Sequence, residues 1–269
     1  MTQQKAPLVS VIMPSYNHAR YIGRAVESVL EQTAGDLELI VVDNQSADGT
    51  DEVLAAIKDP RLRVLKIANG GIIAASRNLG LKNAAGEYAA FVDSDDIWQP
   101  EKLERQLEAL RAAPGAVLAY SRFKTLTGDT ASEAIYPRPS GCVSGRVFGR
   151  LYLKHFIACS GVLARRSALL AAGGFSEERE LVAIEDSDLW LRLAQTGEVV
   201  CSSDRALFLY RVHPGAASAG SWRRFRRELL LARRHYLAAG PARFVAAACL
   251  SFAAAVRAEL AARLPGRSE

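Results

Sequence analysis

The sequence predicts an α/β fold, with a mostly parallel central sheet flanked by helices and a helical C-terminal tail. Three observations carry this. Short apolar, β-branched runs alternate with segments of helical periodicity from Leu8 to Ala113, and such alternation builds parallel sheets covered on both faces. Polar residues gather just after the apolar runs, at the strand ends where open α/β sheets bind ligands. Residues 221–264 keep a helical pattern, broken at Gly240-Pro241.

The elements follow in order. Leu8–Met13 (LVSVIM) reads as a buried strand stopped by Pro14. Arg20–Gln32 places Ile22, Val26, Val29 and Leu30 at helical spacing. Leu37–Val42 is a second strand and runs into the turn cluster DNQSADGT. A helix with Val53, Leu54 and Ile57 on one face comes next, then a strand over Leu62–Ile67. Ile73–Asn83 is helical and Tyr88–Val92 a fourth strand. Glu101–Ala113 carries the stripe Leu103, Leu107, Leu110. A strand is expected at Val117–Phe123 and a flexible Gly-, Pro- and Ser-rich connection at Gly128–Gly149. A strand at Ala158–Leu163, helices at Arg165–Ala172 and Glu185–Gln195, and a late strand at Arg205–Arg211 complete the body.

Composition bounds the function. The chain has 269 residues, 49% hydrophobic and 23% charged, a balance suited to one large domain with an appendage. Residues 1–220 are expected to form that domain and 221–269 a basic amphipathic helical extension. The net charge is +5, yet residues 221–269 hold ten Arg against three Glu, a net of +7, which leaves −2 for the body. A near-neutral body offers no nucleic-acid footprint, whereas the basic tail, with Trp222 and Phe225 at its start, suits an anionic membrane surface or a solvated helix face on the domain. Cys142, Cys159, Cys201 and Cys249 form no CxxC pair, so no zinc site is expected and reduced thiols in a cytoplasmic protein are the simplest reading. The N-terminus shows no signal-peptide pattern. The longest apolar stretch, Phe244–Val256, is thirteen residues, short of the ~20 needed to span a bilayer.

The chemistry gathers at the strand ends. Ser15, Tyr16 and Asn17 follow the first strand, Asp43 and Asn44 the second, Asn69, Gly70 and Gly71 the third, and Asp93, Ser94, Asp95 and Asp96 the fourth. Three carboxylates in four residues repel one another unless a cation sits between them. Mg²⁺ or Mn²⁺, hard cations that also bridge phosphates, fit such a set; a solvated helix-capping turn is the bland alternative. Asp43 suits either a base edge or a turn cap, and Arg77 either a pyrophosphate or solvent. Glu185-Asp186-Ser187-Asp188 suits a helix N-terminus, but a carboxylate there can also serve as general base. His213 suits a metal, an anionic group or a structural role.

In this order the segments resemble family 2 of the inverting glycosyltransferases. VSVIMPSYNHARYIGRAVESVLEQT, IVVDNQSADGT, NGGIIAASRNLGLKNAAGEYAAFVDSDDIW, SGVLARRSALLAAGGFSEE with EDSDLWLRL, and YRVHPGAAS match its blocks over residues 8–218. The resemblance implies a GT-A fold and sugar transfer from a nucleotide-diphosphate sugar, most commonly UDP-linked, to a carbohydrate or lipid-linked acceptor. It implies nucleotide-sugar contacts from Pro14, Tyr16, Asn17, Asp43, Arg77, Asp93 and Ser94. It implies Mn²⁺ or Mg²⁺ on Asp95 and Asp93 with help from His213, and Asp186 as base supported by Glu185. A role in cell-surface polysaccharide or glycolipid synthesis on the cytoplasmic side, with peripheral membrane contact through the tail, follows from the same likeness. Asn44 stands where the family often has a second Asp. The QxxRW motif of processive synthases is absent, which favours one sugar per event. A nucleotidyltransferase would need a Gly- and Lys-rich loop near the N-terminus, and Pro7–Ala56 has no Lys. A non-catalytic nucleotide-sugar module would not need intact DSD and EDSD clusters.

Overall fold

The computed structural model describes residues 6–138, 142–212 and 221–263. Four strands, β1 (Val9–Ser15), β2 (Leu37–Asp43), β3 (Leu62–Lys66) and β4 (Tyr88–Phe91), form a parallel sector in the order β3-β2-β1-β4. The sheet then becomes mixed. β8 (Val162–Arg165) runs antiparallel to both β4 and β6 (Ala116–Thr127). β9 (Glu198–Arg211) pairs parallel with β6, and the short β5 (Ile97–Trp98) pairs antiparallel with β9.

Side-chain alternation along β1 assigns its two faces. Val9, Val11 and Met13 join a core with Ile22 and Val26 of α1 (Ala19–Leu30) and with Leu103, Leu107 and Leu110 of α4 (Lys102–Ala112). Ile12 joins the opposite core with Leu81 of α3 (Ile73–Asn83), Leu169 of α6 (Arg166–Ala171), and Leu189 and Trp190 of α7 (Glu185–Thr196). This is the period-2 pattern of a strand covered on both sides. α3 lies so close that a Cβ on Gly80 would sit 2.5 Å from Ile12 Cγ2. α2 (Thr50–Ala56) closes the β2–β3 crossover.

Several expectations need correction. Pro14 does not stop β1, which continues to Ser15 opposite Asp43. Pairing with β4 ends at Ile12, so the amide that proline lacks would have faced no partner. Gly128–Gly149 is not simply a flexible connection: Thr130–Tyr136 forms β7, an antiparallel edge strand on β6. Its exposure on both faces left no apolar alternation to detect. Residues 159–161 form a 3-10 turn before β8, and the late strand begins at Glu198. The thiols are not all reduced: Cys142 and Cys201 are joined in a disulfide across 59 positions, tying the segment after β7 to β9. Only the tertiary fold brings this pair together, so spacing could not show it.

After α5 (Phe148–Leu153) and the body, the chain ends in α8 (Ser221–Arg234), α9 (Tyr236–Ala239) and α10 (Pro241–Arg263). These helices dock on the body. Asp188 on α7 is fully buried and meets Arg192 at 2.8 Å, Arg234 at 3.1 Å and His235 at 3.0 Å. Arg234 also reaches Glu178 at 2.8 Å, and the Tyr152 hydroxyl donates to the Ala232 carbonyl at 2.7 Å. No helix among the described residues is long and apolar enough to cross a membrane.

Candidate active site

The parallel sector delivers the ends of β1, β2 and β4 to one rim of a cleft of about 1030 Å³. Pro14, Tyr16, Arg77, Asp93, Ser94, Asp95, Glu185 and Asp186 all line it. Residues separated by almost the length of the body therefore meet in one cavity.

The first two strand ends are locked together. Asn17 adopts φ 51°. Its side-chain oxygen accepts from the Ala47 amide at 2.9 Å, and its own amide donates to Ser46 Oγ at 2.8 Å. Asp43 is fully buried, and neither it nor Asn17 lines the cleft directly. Burial alone would raise the Asp43 pKa. Hydrogen bonds from Ser46 and the Lys66 ammonium at 3.0 Å hold it below its ordinary value instead. Asn44 Oδ1 accepts from the Asn69 amide at 2.9 Å, steering the Gly70-Gly71 turn, whose φ angles are 60° and 83°. Tyr16 projects from this scaffold, 58% exposed, as a flat apolar face beside the cleft.

The fourth strand end is the acidic centre. Asp93 and Asp95 are part-exposed to the cleft, and Ser94 Oγ lies 2.7 Å from His18 Nδ1. Asp96 turns inward. It is buried and accepts from the Arg211 amide at 2.8 Å. Burial, with the charges of Asp93 and Asp95, pushes its carboxyl well above the usual range and favours the neutral form. Arg211 was not singled out by the sequence. Its Nε donates to the Asp95 carbonyl and its Nη1 to the Gly128 carbonyl, while its guanidinium stacks on Tyr21 at 4.7 Å. It thus clamps the acidic turn to β9.

Arg77 joins the two acidic clusters. It is nearly fully buried, with Nη1 2.6 Å from Glu185 Oε1 and Nη2 2.7 Å from Asp93 Oδ1. Asp186 follows Glu185 at the start of α7, half-buried in the cleft wall. Desolvation and the Glu185 charge push its pKa up to about 7, against the opposing effect of Arg77 and a hydrogen bond from the Ser187 amide. A carboxyl poised near neutrality beside a cavity is suited to proton transfer. His213 lies outside the described residues. No group of three or more His, Cys, Asp or Glu side chains suited to holding a metal occurs among the described residues.

Comparison with known proteins gives the family and the fold. The model of glycosyl transferase family 2 matches residues 10–171. A Bacillus subtilis (strain 168) protein, provisionally named teichuronic acid biosynthesis glycosyltransferase TuaG, is 31% identical over 83% of this chain and 86% of its own. The Escherichia coli UDP-Glc:alpha-D-GlcNAc-diphosphoundecaprenol beta-1,3-glucosyltransferase WfaP is 31% identical over 82% of this chain and 84% of its own. Among solved structures, mannosyltransferase PcManGT from Pyrobaculum calidifontis, in complex with GDP-Man and Mn²⁺, superposes with a TM-score of 0.67. It is 21% identical and is matched over 98% of this chain and 77% of that one. The fold is accordingly of GT-A type, and the acidic turn after β4 and the acidic start of α7 line one cleft. The chain belongs to glycosyl transferase family 2, and it is a nucleotide-sugar-dependent glycosyltransferase.

Proposed function

We propose that this chain transfers one sugar, with inversion, from a UDP-sugar to a hydroxyl of a lipid-linked carbohydrate acceptor during cell-surface polysaccharide or glycolipid synthesis. The observation that carries this reading is the meeting of Asp186, poised near neutrality, with Asp93 and Asp95 in one cleft. The WfaP relative supports UDP and a diphosphate-lipid acceptor by its name, and TuaG supports a cell-surface product.

Residues 1–220 act as the catalytic domain and 221–269 as its basic extension. Pro14 and Tyr16 receive the nucleoside, on loops fixed by Asn17 and Asp43, with Asp93 on the ribose and metal side and Ser94 a further contact to the nucleotide sugar. Asp93 and Asp95 suit Mg²⁺ or Mn²⁺, because such ions take one or two carboxylates and complete their shell with substrate phosphates. His213 is a further candidate ligand. When bound, the cation offsets charge developing on the diphosphate leaving group. Arg77, which holds Glu185 and Asp93 in register, would approach that diphosphate. Asp186, as carboxylate, takes the acceptor hydroxyl proton while that oxygen bonds to the anomeric carbon. The bond from this carbon to the diphosphate oxygen breaks, and its electron pair leaves with the nucleoside diphosphate. One displacement inverts the centre.

Thermal unfolding against UDP-, GDP- and dTDP-sugars, with Mn²⁺, Mg²⁺ or EDTA, tests the reading. A UDP-sugar with Mn²⁺ at one hundred times its Kd should add about 2.7 kcal/mol of apparent stability. Absence of stabilisation by any nucleotide sugar would overturn the donor assignment, and equal stabilisation in EDTA would remove the metal.

A further inference from the structure

The cleft lining carries both signs of charge. It holds Asp93, Asp95, Glu185 and Asp186, and also Arg138 after β7, Lys154 after α5 and Arg227 on α8. Arg138 and Lys154 are exposed and Arg227 is half-buried, and their side chains form no ion pair or hydrogen bond among the described residues. Arg150 lies in the same lining, and Glu228 is the one carboxylate that these segments add. Cations that line one cavity from three separate elements favour a bound anion there. Guanidinium groups also suit bidentate contact with phosphate oxygens. Apolar side chains, including Phe123, Val143 and Phe156, line the cleft as well. A ligand that meets both sets therefore combines an anionic group with apolar surface.

The donor's own diphosphate already has partners in the proposed cation at Asp93 and Asp95 and in Arg77, which leaves these three cations for a second anion. We propose that Arg138, Lys154 and Arg227 form an anion subsite for the diphosphate that joins a prenyl carrier to the acceptor sugar. This assignment rests on the sugar-transfer reading and deepens it. It also gives the tail a part in the site, since α8 supplies Arg227 and is anchored to the body by Arg234 and His235 on Asp188.

The test uses the full chain saturated with UDP and Mn²⁺, so that the donor site is filled. Geranyl diphosphate and inorganic pyrophosphate are then titrated by calorimetry into the unaltered protein and into Lys154→Glu, Arg227→Glu and Arg138→Glu. Each reversal should weaken geranyl diphosphate binding by at least about tenfold, while UDP affinity and the unfolding midpoint of the unliganded protein stay unchanged. Undiminished geranyl diphosphate binding in all three variants would overturn the subsite. Pyrophosphate binding as tightly as the prenyl diphosphate would overturn the lipid assignment. Failure of the unaltered protein to bind UDP with Mn²⁺ would count instead against the sugar-transfer reading beneath it.

Discussion

Burial and the adjacent Glu185 charge push the Asp186 carboxyl up to about 7, so near neutrality it exchanges between acid and base forms. Only the carboxylate accepts a proton, so kcat/KM should rise with pH through about 7 and level off above it. A divalent cation at Asp95 adds positive charge and moves that limb downward. Asp186→Asn should lower transfer by about 10²–10⁴ with UDP binding retained; turnover near that of the unaltered enzyme would discard the base assignment. Asp93, Asp95 and Asp186 were legible in the sequence because each is an acid just beyond an apolar strand or at a helix start. Arg77 was half legible: its place on the third crossover is clear, but its grip on Glu185, 108 positions away, is a tertiary fact. Asp96 and Arg211 were illegible as a pair for the same reason, their contact spanning 115 positions. Asp96 resembles its neighbours in sequence and differs only in facing inward.

Elements were legible where apolar residues recur at helical spacing, as in α1 and α4. They were not where a strand had no apolar face. β7 exposes most of its side chains, and β9 opens with Glu198-Val199-Val200-Cys201-Ser202-Ser203, whose middle is partly exposed beyond Val199. The sheet's change from parallel to mixed at β8 was also hidden, because strand direction depends on which neighbour a strand meets. The EDSD cluster shows how one short element can serve two ends: Asp186 faces the cleft while Asp188 faces the tail. Burial would raise the Asp188 pKa, but His235, Arg192 and Arg234 hold it below its ordinary value. A depressed carboxylate contributes stability above its unfolded pKa and loses it as pH falls through the folded one. Asp188→Ala should therefore destabilise the protein by about 3–5 kcal/mol at neutral pH, less in acid, and hasten amide exchange in α8 and α9 before that of the sheet. Unchanged exchange in those helices would show that the other anchors, among them Arg234 on Glu178 and Tyr152 on the Ala232 carbonyl, suffice to secure the tail.

Across the whole molecule, the body is close to neutral and the surplus of positive charge lies in the C-terminal segment. The same helices expose apolar side chains that the body does not cover: Leu237 is 95% exposed, Val245 59% and Phe252 50%, and Trp222 packs edge-on against Phe252 at 6.0 Å. Basic charge beside exposed aromatic and aliphatic groups fits the headgroup layer of an anionic bilayer. No described helix can span that bilayer, so contact through this surface would be peripheral, and α8 of the same tail contributes Arg227 to the cleft lining. The attraction is electrostatic at range and apolar at contact, which sets two expectations. Co-sedimentation with phosphatidylglycerol-rich vesicles should be strong at 50 mM salt and fall steeply by 500 mM, where the Debye length shrinks to a few ångströms. Leu237→Asp with Phe252→Asp should release the protein from those vesicles even at low salt, with UDP binding intact, because both side chains lie on the tail and outside the cleft lining. Binding equal to neutral phosphatidylcholine vesicles would remove the electrostatic component. No binding to either vesicle at low salt would show that the arginine face is merely solvated, and an acceptor would then have to reach the cleft without help from this surface.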